Sequence, residues 1–303
     1  MKLTGIIPAL LTPFDKDGEV NHKMVRELVE FHIAQGATGE YVGGSTGEGF
    51  LLTEAERCQL AETVIDQVRG RIPVVIQVGS VSTAEAARLA AHAKKAGADG
   101  VSSVPPFYYS VGLAGVKGHY AEIGKAGGLP LWIYNIPGTT GVNVTPAMAK
   151  EIVEEVPTIV GMKFTSYNFF EMRQIIDLEF KDGRKLNVVS GPDEMMVAGQ
   201  AMGADGAIGT TYNVLCRYFV EMYHTFHRGE VQKATDMQAQ ANRVITTFLS
   251  FPSLAAVKEI ARLIGFDCGS PRRPLPPLSA ADKDLLKQKL TDCGFFQIAA
   301  MRG

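Results

Sequence analysis

A lysine closes the apolar run Ile159-Val160-Gly161-Met162-Lys163. A charged amine at the tip of a buried strand is costly, and burial lowers its pKa toward the neutral form that condenses with a carbonyl to give a Schiff base. The competing reading is a lysine that snorkels to the rim or pairs with a carboxylate. A second apolar run, from Leu129, ends in Tyr134-Asn135-Ile136-Pro137. A phenol in that place either exchanges a proton with a reacting group or packs in the core. A third run ends in Gly43-Gly44-Ser45-Thr46-Gly47-Glu48. Small residues there free backbone N–H groups to converge on an anion, and two adjacent hydroxyls add donors. No lysine follows in the P-loop position, so a carboxylate-sized anion fits better than a triphosphate. A tight turn with Ser45 and Thr46 as local caps is the plainer alternative.

Other run ends carry polar or aromatic groups. Thr165 follows the lysine, and Pro105-Pro106-Phe107-Tyr108-Tyr109 is an aromatic-rich loop of a kind that more often packs than reacts. In Gly191-Pro192-Asp193-Glu194 the acidic pair either caps the next helix or accepts hydrogen bonds from the hydroxyls of a polyol. Gly209-Thr210-Thr211-Tyr212-Asn213 adds further hydroxyls.

The elements that must position these groups are marked by glycine. Gly36-Ala37-Thr38-Gly39, Gly97-Ala98-Asp99-Gly100 and Gly203-Ala204-Asp205-Gly206 are near-copies, each after a helical pattern and before a short apolar strand. The first glycine of each suits the left-handed end of a helix. Thr53 with Glu56, and Ser82 with Glu85, have capping-box spacing, and Thr145-Pro146 is an N-cap followed by proline. Between the helices the pattern predicts strands near 5–10, 39–42, 74–78, 100–104, 129–134, 158–163, 186–190 and 206–209. Several are continuous apolar runs, as parallel strands buried on both faces require. Eight strand-then-helix units predict an α/β fold, a (β/α)₈ TIM barrel, with a doubly wound sheet as the alternative. Reactive groups in a barrel sit at the C-terminal ends of its strands, where all the stretches above fall.

Beyond the eighth strand, helical patterns run near 214–227, 231–249, 254–264 and 280–291, broken by Gly229, Pro252 and the 271–277 region. The expected organisation is a single domain over 1–303, with the barrel at about 1–225 and a C-terminal helical extension at about 226–303.

Composition bounds the function. The 303 residues are 46% hydrophobic and carry a net charge of −2, which excludes a disordered chain. No basic run suggests nucleic acid as a partner, and no apolar stretch is long enough to span a membrane. The first residues show no signal-peptide pattern, so a cytoplasmic location is expected. The four cysteines, Cys58, Cys216, Cys268 and Cys293, are scattered and read as reduced thiols. His224 and His227 have no further ligands in view, so no metal centre is expected.

The stretch Tyr41-Val42-Gly43-Gly44-Ser45-Thr46-Gly47-Glu48, together with Tyr134-Asn135-Ile136-Pro137 and the later Lys163, resembles the two signatures of the dihydrodipicolinate synthase / N-acetylneuraminate lyase family. The resemblance runs from Gly5-Ile6-Ile7-Pro8 to the C-terminal helices. It implies a class I aldolase with no cofactor, in which Lys163 attacks C2 of a 2-oxo acid such as pyruvate. Ser45 and Thr46 would hold the carboxylate, and Tyr134 would take the proton from the C4 hydroxyl as the C3–C4 bond breaks. Tyr108 resembles the tyrosine that crosses a subunit interface to complete a proton relay with Thr46 and Tyr134, which implies a homotetramer. Thr165, Gly191, Asp193, Glu194 and Thr210 match positions that hold the hydroxylated tail of a sugar acid.

One departure separates branches of the family. The synthases carry an arginine two residues after the proline of the Tyr-Asn-x-Pro motif, and here that position is Thr139. Without a bidentate carboxylate clamp, a neutral sugar tail fits better than an amino-dicarboxylic aldehyde. The resemblance to the lyase branch implies reversible cleavage of N-acetylneuraminate to N-acetylmannosamine and pyruvate. Thr210, where the lyases commonly have serine, and Pro192 leave room for another 2-oxo sugar acid. Dihydrodipicolinate synthesis and a silent sugar-acid-binding barrel are the remaining alternatives.

Overall fold

Gly36, Gly97 and Gly203, the first glycines of the repeated tetrapeptide, take φ of 90°, 91° and 94°. That left-handed conformation ends a helix and swings the chain into a strand. In the computed structural model, which describes residues 1–300, the turn recurs within an unbroken alternation of strands and helices. The strands are β1 (Gly5–Pro8), β2 (Glu40–Val42), β3 (Val74–Gln77), β4 (Gly100–Ser103), β5 (Leu131–Asn135), β6 (Ile159–Phe164), β7 (Asn187–Ser190) and β8 (Gly206–Gly209). Each lies within two residues of its expected place. The barrel helices are α1 (His22–Ala34), α2 (Glu54–Val68), α3 (Thr83–Ala96), α4 (Gly112–Gly127), α5 (Pro137–Thr140), α6 (Pro146–Glu155), α7 (Phe169–Ile176), α8 (Met196–Ala201) and α9 (Tyr212–His227). After them come α10 (Val231–Leu249), α11 (Ser253–Leu263), α12 (Ala280–Asp292) and α13 (Phe295–Ala299).

All strand pairings are parallel and follow the order β1-β8-β7-β6-β5-β4-β3-β2. Sequential neighbours all round, with first paired to last, exclude the doubly wound sheet. The β1–β2 seam is closed by a parallel bridge between Ala9 and Tyr41 and by the Leu10 N–H donating to Tyr41 O at 2.9 Å. Asn213 reinforces the same rim: its side chain accepts from the Leu11 N–H and donates to Ala9 O.

Strand side chains alternate faces, so each strand feeds two cores. Ile6, Val42, Ile133, Met162 and Val188 face outward into the layer between strands and helices. Ile7, Tyr41, Val75, Trp132, Tyr134, Val189 and Ile208 fill the barrel interior.

The helix starts behave as their spacings predict, with one difference. Thr53 and Glu56 form a complete capping box, and Thr145 caps the helix that opens with Pro146. Ser82 accepts the Glu85 N–H, but the Glu85 carboxylate takes the Ser80 hydroxyl instead, at 2.7 Å. The one-turn helix α5 was not legible beforehand; Pro137 starts it and Gly141 closes it. Among the described residues, no single helix is long and apolar enough to cross a membrane.

Candidate active site

Parity along β5 and β6 decides where the reactive groups point. Trp132 and Gly161 are paired across the two strands, as are Tyr134 and Lys163, and both pairs face the interior. A Cβ at Gly161 would collide with the Trp132 ring, so glycine there lets the indole lie under the lysine. Lys163 is 4% exposed. Its Nζ lies 4.1 Å from the centre of the Tyr134 ring and 4.4 Å from that of Tyr41. No carboxylate pairs with it among the described residues, so the ion-pair reading of this lysine does not hold. Two aromatic faces and the barrel mouth surround the amine.

The Gly43–Glu48 segment curls over this floor. Gly43 is left-handed at φ 71°, and Gly49 passes so close that a Cβ there would meet Gly43 O at 1.9 Å. Glycine at both ends thus allows a turn that brings Ser45 and Thr46 inward. The Ser45 hydroxyl is 3.5 Å from the Tyr134 hydroxyl, and the Thr46 hydroxyl is 2.6 Å from that of Thr210.

Beside the floor, which it meets at Thr210, lies a cleft of about 390 Å³. Thr165, Gly191, Asp193, Glu194 and Thr210 all line it, brought together from the ends of β6, β7 and β8. Asp193 does not cap the next helix. Its carboxylate accepts the Thr211 N–H at 2.6 Å, and a Cβ at residue 209 would overlap Oδ1, so Gly209 leaves the carboxylate its space. Burial pushes its pKa up to about 6, against the hydrogen bond from the Thr211 N–H. Asp193 Oδ1 and Thr165 Oγ1 are buried without a protein partner. Glu194 accepts the Tyr167 hydroxyl at 2.5 Å, and that bond pushes the phenol up to about 12. Among the described residues no lysine or arginine lines the cleft.

Residues 2–293 match the dihydrodipicolinate synthetase family. The chain belongs to it. An N-acetylneuraminate lyase from Rhizobium meliloti is 36% identical over 95% of this chain and 94% of its own length. The solved N-acetylneuraminate lyase of Proteus mirabilis superposes with a TM-score of 0.92 at 30% identity, covering 97% of this chain and all of that one. A dihydrodipicolinate synthase from Bacillus anthracis superposes with a TM-score of 0.90, also at 30% identity, over 96% of this chain and 98% of its own. The backbone of the family is shared by both branches, so the side chains in the cleft must separate them.

Thr139, at the position where the family's synthases place an arginine, lies exposed on α5 and does not line the cleft. Tyr108, the proposed relay tyrosine of the family, is not brought to the floor within one chain. It is 85% exposed, held at φ 77°, with its ring edge on Tyr109. Thr46 correspondingly bonds Thr210 rather than Tyr134.

Sequence reading missed a whole wall of the cleft. Ile245, Phe248 and Leu249 come from α10, and Ser253 and Leu254 from α11. Their helices were expected, but apolar residues on an amphipathic helix give no sign of which few meet the barrel mouth. Tyr167 was also missed, although its place in the loop after the lysine strand was a usable signal.

Proposed function

We propose that the protein is a Schiff-base aldolase that cleaves N-acetylneuraminate reversibly to N-acetylmannosamine and pyruvate. One observation carries this reading: a buried lysine, without a carboxylate partner among the described residues, sits beside a tyrosine and a serine–threonine turn, next to a cleft that holds two carboxylates and, among the described residues, no basic side chain. The names borne by its relatives point to the same reaction.

In that reaction neutral Lys163 attacks the C2 carbonyl of the open-chain sugar acid, and loss of water leaves a protonated imine. Ser45 and Thr46, with the backbone N–H groups of their turn, hold the C1 carboxylate. Tyr134 takes the C4 hydroxyl proton as the C3–C4 bond breaks; its electron pair flows into the imine, leaving an enamine and the free aldehyde. Protonation at C3 and hydrolysis then release pyruvate and restore the amine. Tyr108 of a second copy of the chain completes the proton relay through Thr46 in a homotetramer, which accounts for its exposure in the single chain. Asp193, Glu194, Thr165 and Thr210 accept and donate hydrogen bonds along the sugar tail, with Gly191 leaving it room.

A panel of 2-oxo sugar acids compared by kcat/KM tests the substrate. N-acetylneuraminate should lead it. A clear preference for 2-keto-3-deoxy aldonates, or for aspartate semialdehyde with pyruvate, would overturn the assignment.

A further inference from the structure

Glu48 ends the carboxylate turn in a conformation that glutamate seldom adopts. Its φ is 54° and ψ 30°, the left-handed region that is unfavourable for a residue with a Cβ. Its N–H donates to Ser45 O at 3.1 Å, so the residue closes the turn that presents Ser45 and Thr46. Its carboxylate is fully buried, and both oxygens are held by residues from after the barrel. Oε1 is 2.6 Å from Nζ of Lys258 on α11, and Oε2 accepts the Arg272 N–H at 2.7 Å.

The two anchors are themselves fixed. The Lys258 side chain is 1% exposed, lies 4.2 Å over the Phe14 ring and reaches Ser270 O at 3.4 Å. The Arg272 guanidinium also lies over the Phe14 ring, 4.5 Å from its centre. It donates to Leu51 O at 3.1 Å and to both oxygens of Glu56, the capping residue of α2. A buried ion pair is a weak source of stability, because desolvation offsets much of the attraction. What it does well is fix one geometry. None of these groups touches the lysine, the phenol or the cleft.

Building on the proposed carboxylate-holding role of Ser45 and Thr46, we infer that Lys258 and Glu48 are positioning residues for 2-oxo acid binding: their buried pair clamps the carboxylate turn from outside the barrel. The helical extension thereby sets the affinity for the acid end of the substrate as well as walling the sugar end.

The test uses the full chain, with Lys258→Met, Glu48→Gln and the two combined. Either single change leaves a buried group with a missing partner and lowers Tm. The double change removes both charges and should recover most of the Tm. Borohydride trapping at increasing pyruvate gives the concentration for half-maximal adduct on Lys163. Hydroxyacetone, a ketone without a carboxylate, is the control. The folded double variant should need roughly ten- to a hundredfold more pyruvate, the scale of a misplaced binding group, while hydroxyacetone trapping stays as in the parent. A double variant with normal pyruvate dependence overturns the inference, as does an equal loss for pyruvate and hydroxyacetone. If the unmutated protein forms no pyruvate adduct at all, it is the aldolase reading that fails, and the inference falls with it.

Discussion

At the floor of the barrel mouth every candidate reactive side chain rides on a strand tip or on the turn leaving it, whereas the outer cleft draws much of its wall from helices beyond the barrel. Lys163 and Tyr134 are neighbours because their strands are in register. Asp193 and Glu194 sit in a short 3₁₀ turn whose backbone is held from outside: Gln238 of α10 donates to Asp193 O, and Asn242 donates to Glu194 O. Lys163 and Tyr134 are thus placed by sheet register, while the turn that carries Asp193 and Glu194 is braced from the docked extension as well as by Thr211 and Tyr167. This division lets bond-making and sugar recognition be changed separately.

The comparison can be broken most sharply at the floor. Lys163→Ala should abolish both turnover and borohydride-trappable adduct while cooperative melting survives, since the proposed mechanism assigns the covalent bond to this residue. Residual aldol cleavage above background would remove the lysine from the mechanism. Tyr134→Phe should lower kcat by about 10²–10⁴-fold, the range of a general acid–base group, with pyruvate adduct still formed. A near-normal variant would return that tyrosine to the role of packing.

Changes in the cleft should be smaller and one-sided. Asp193→Ala should raise KM for the sugar roughly tenfold or more, as loss of a charged hydrogen-bond acceptor does, and leave half-saturation by pyruvate unchanged. An equal effect on both substrates would show that floor and cleft are not separable. Leu254→Ala, on the extension, should shift sugar KM by only about two- to fivefold, the scale of a partly buried apolar contact. No shift at all would detach α11 from recognition.

A separate effect lies in stability against pH. Asp193 titrates near 6 in the folded chain, above the ordinary 3.8, because burial disfavours its charge. The folded state therefore holds a proton that the unfolded chain has released, and this contribution to stability is lost as pH rises from about 4 through 6. Asp193→Asn should flatten that stretch of the Tm–pH curve. An unchanged slope would assign it elsewhere.

Much of the floor was legible in sequence. Apolar runs ending in Lys163, Tyr134 and Ser45 mark strand tips, and the repeated glycine turns mark the alternation that closes the barrel. The polar side of the cleft was legible too, through resemblance in Thr165, Gly191, Asp193, Glu194 and Thr210. The apolar wall and the Glu48–Lys258 pair were not. Lys258 lies in a helix among Ala255, Ala256, Val257 and Ile260, and nothing local says that its charge is buried or which carboxylate 210 positions away receives it. Periodicity reports that a face is covered, while its partner depends on how the whole chain docks. Tyr108 shows the same limit at the next level: within one chain it stands exposed, away from the floor, and the proposed relay gives it a role only with a second copy.

The most direct measurement is peptide mass analysis after incubation with N-acetylneuraminate and borohydride. A single reduced pyruvyl group on the peptide containing Lys163, with N-acetylmannosamine released into solution, is the expected result. An adduct on another lysine, or aldehyde release with no adduct at all, would contradict a Schiff-base aldolase built on Lys163.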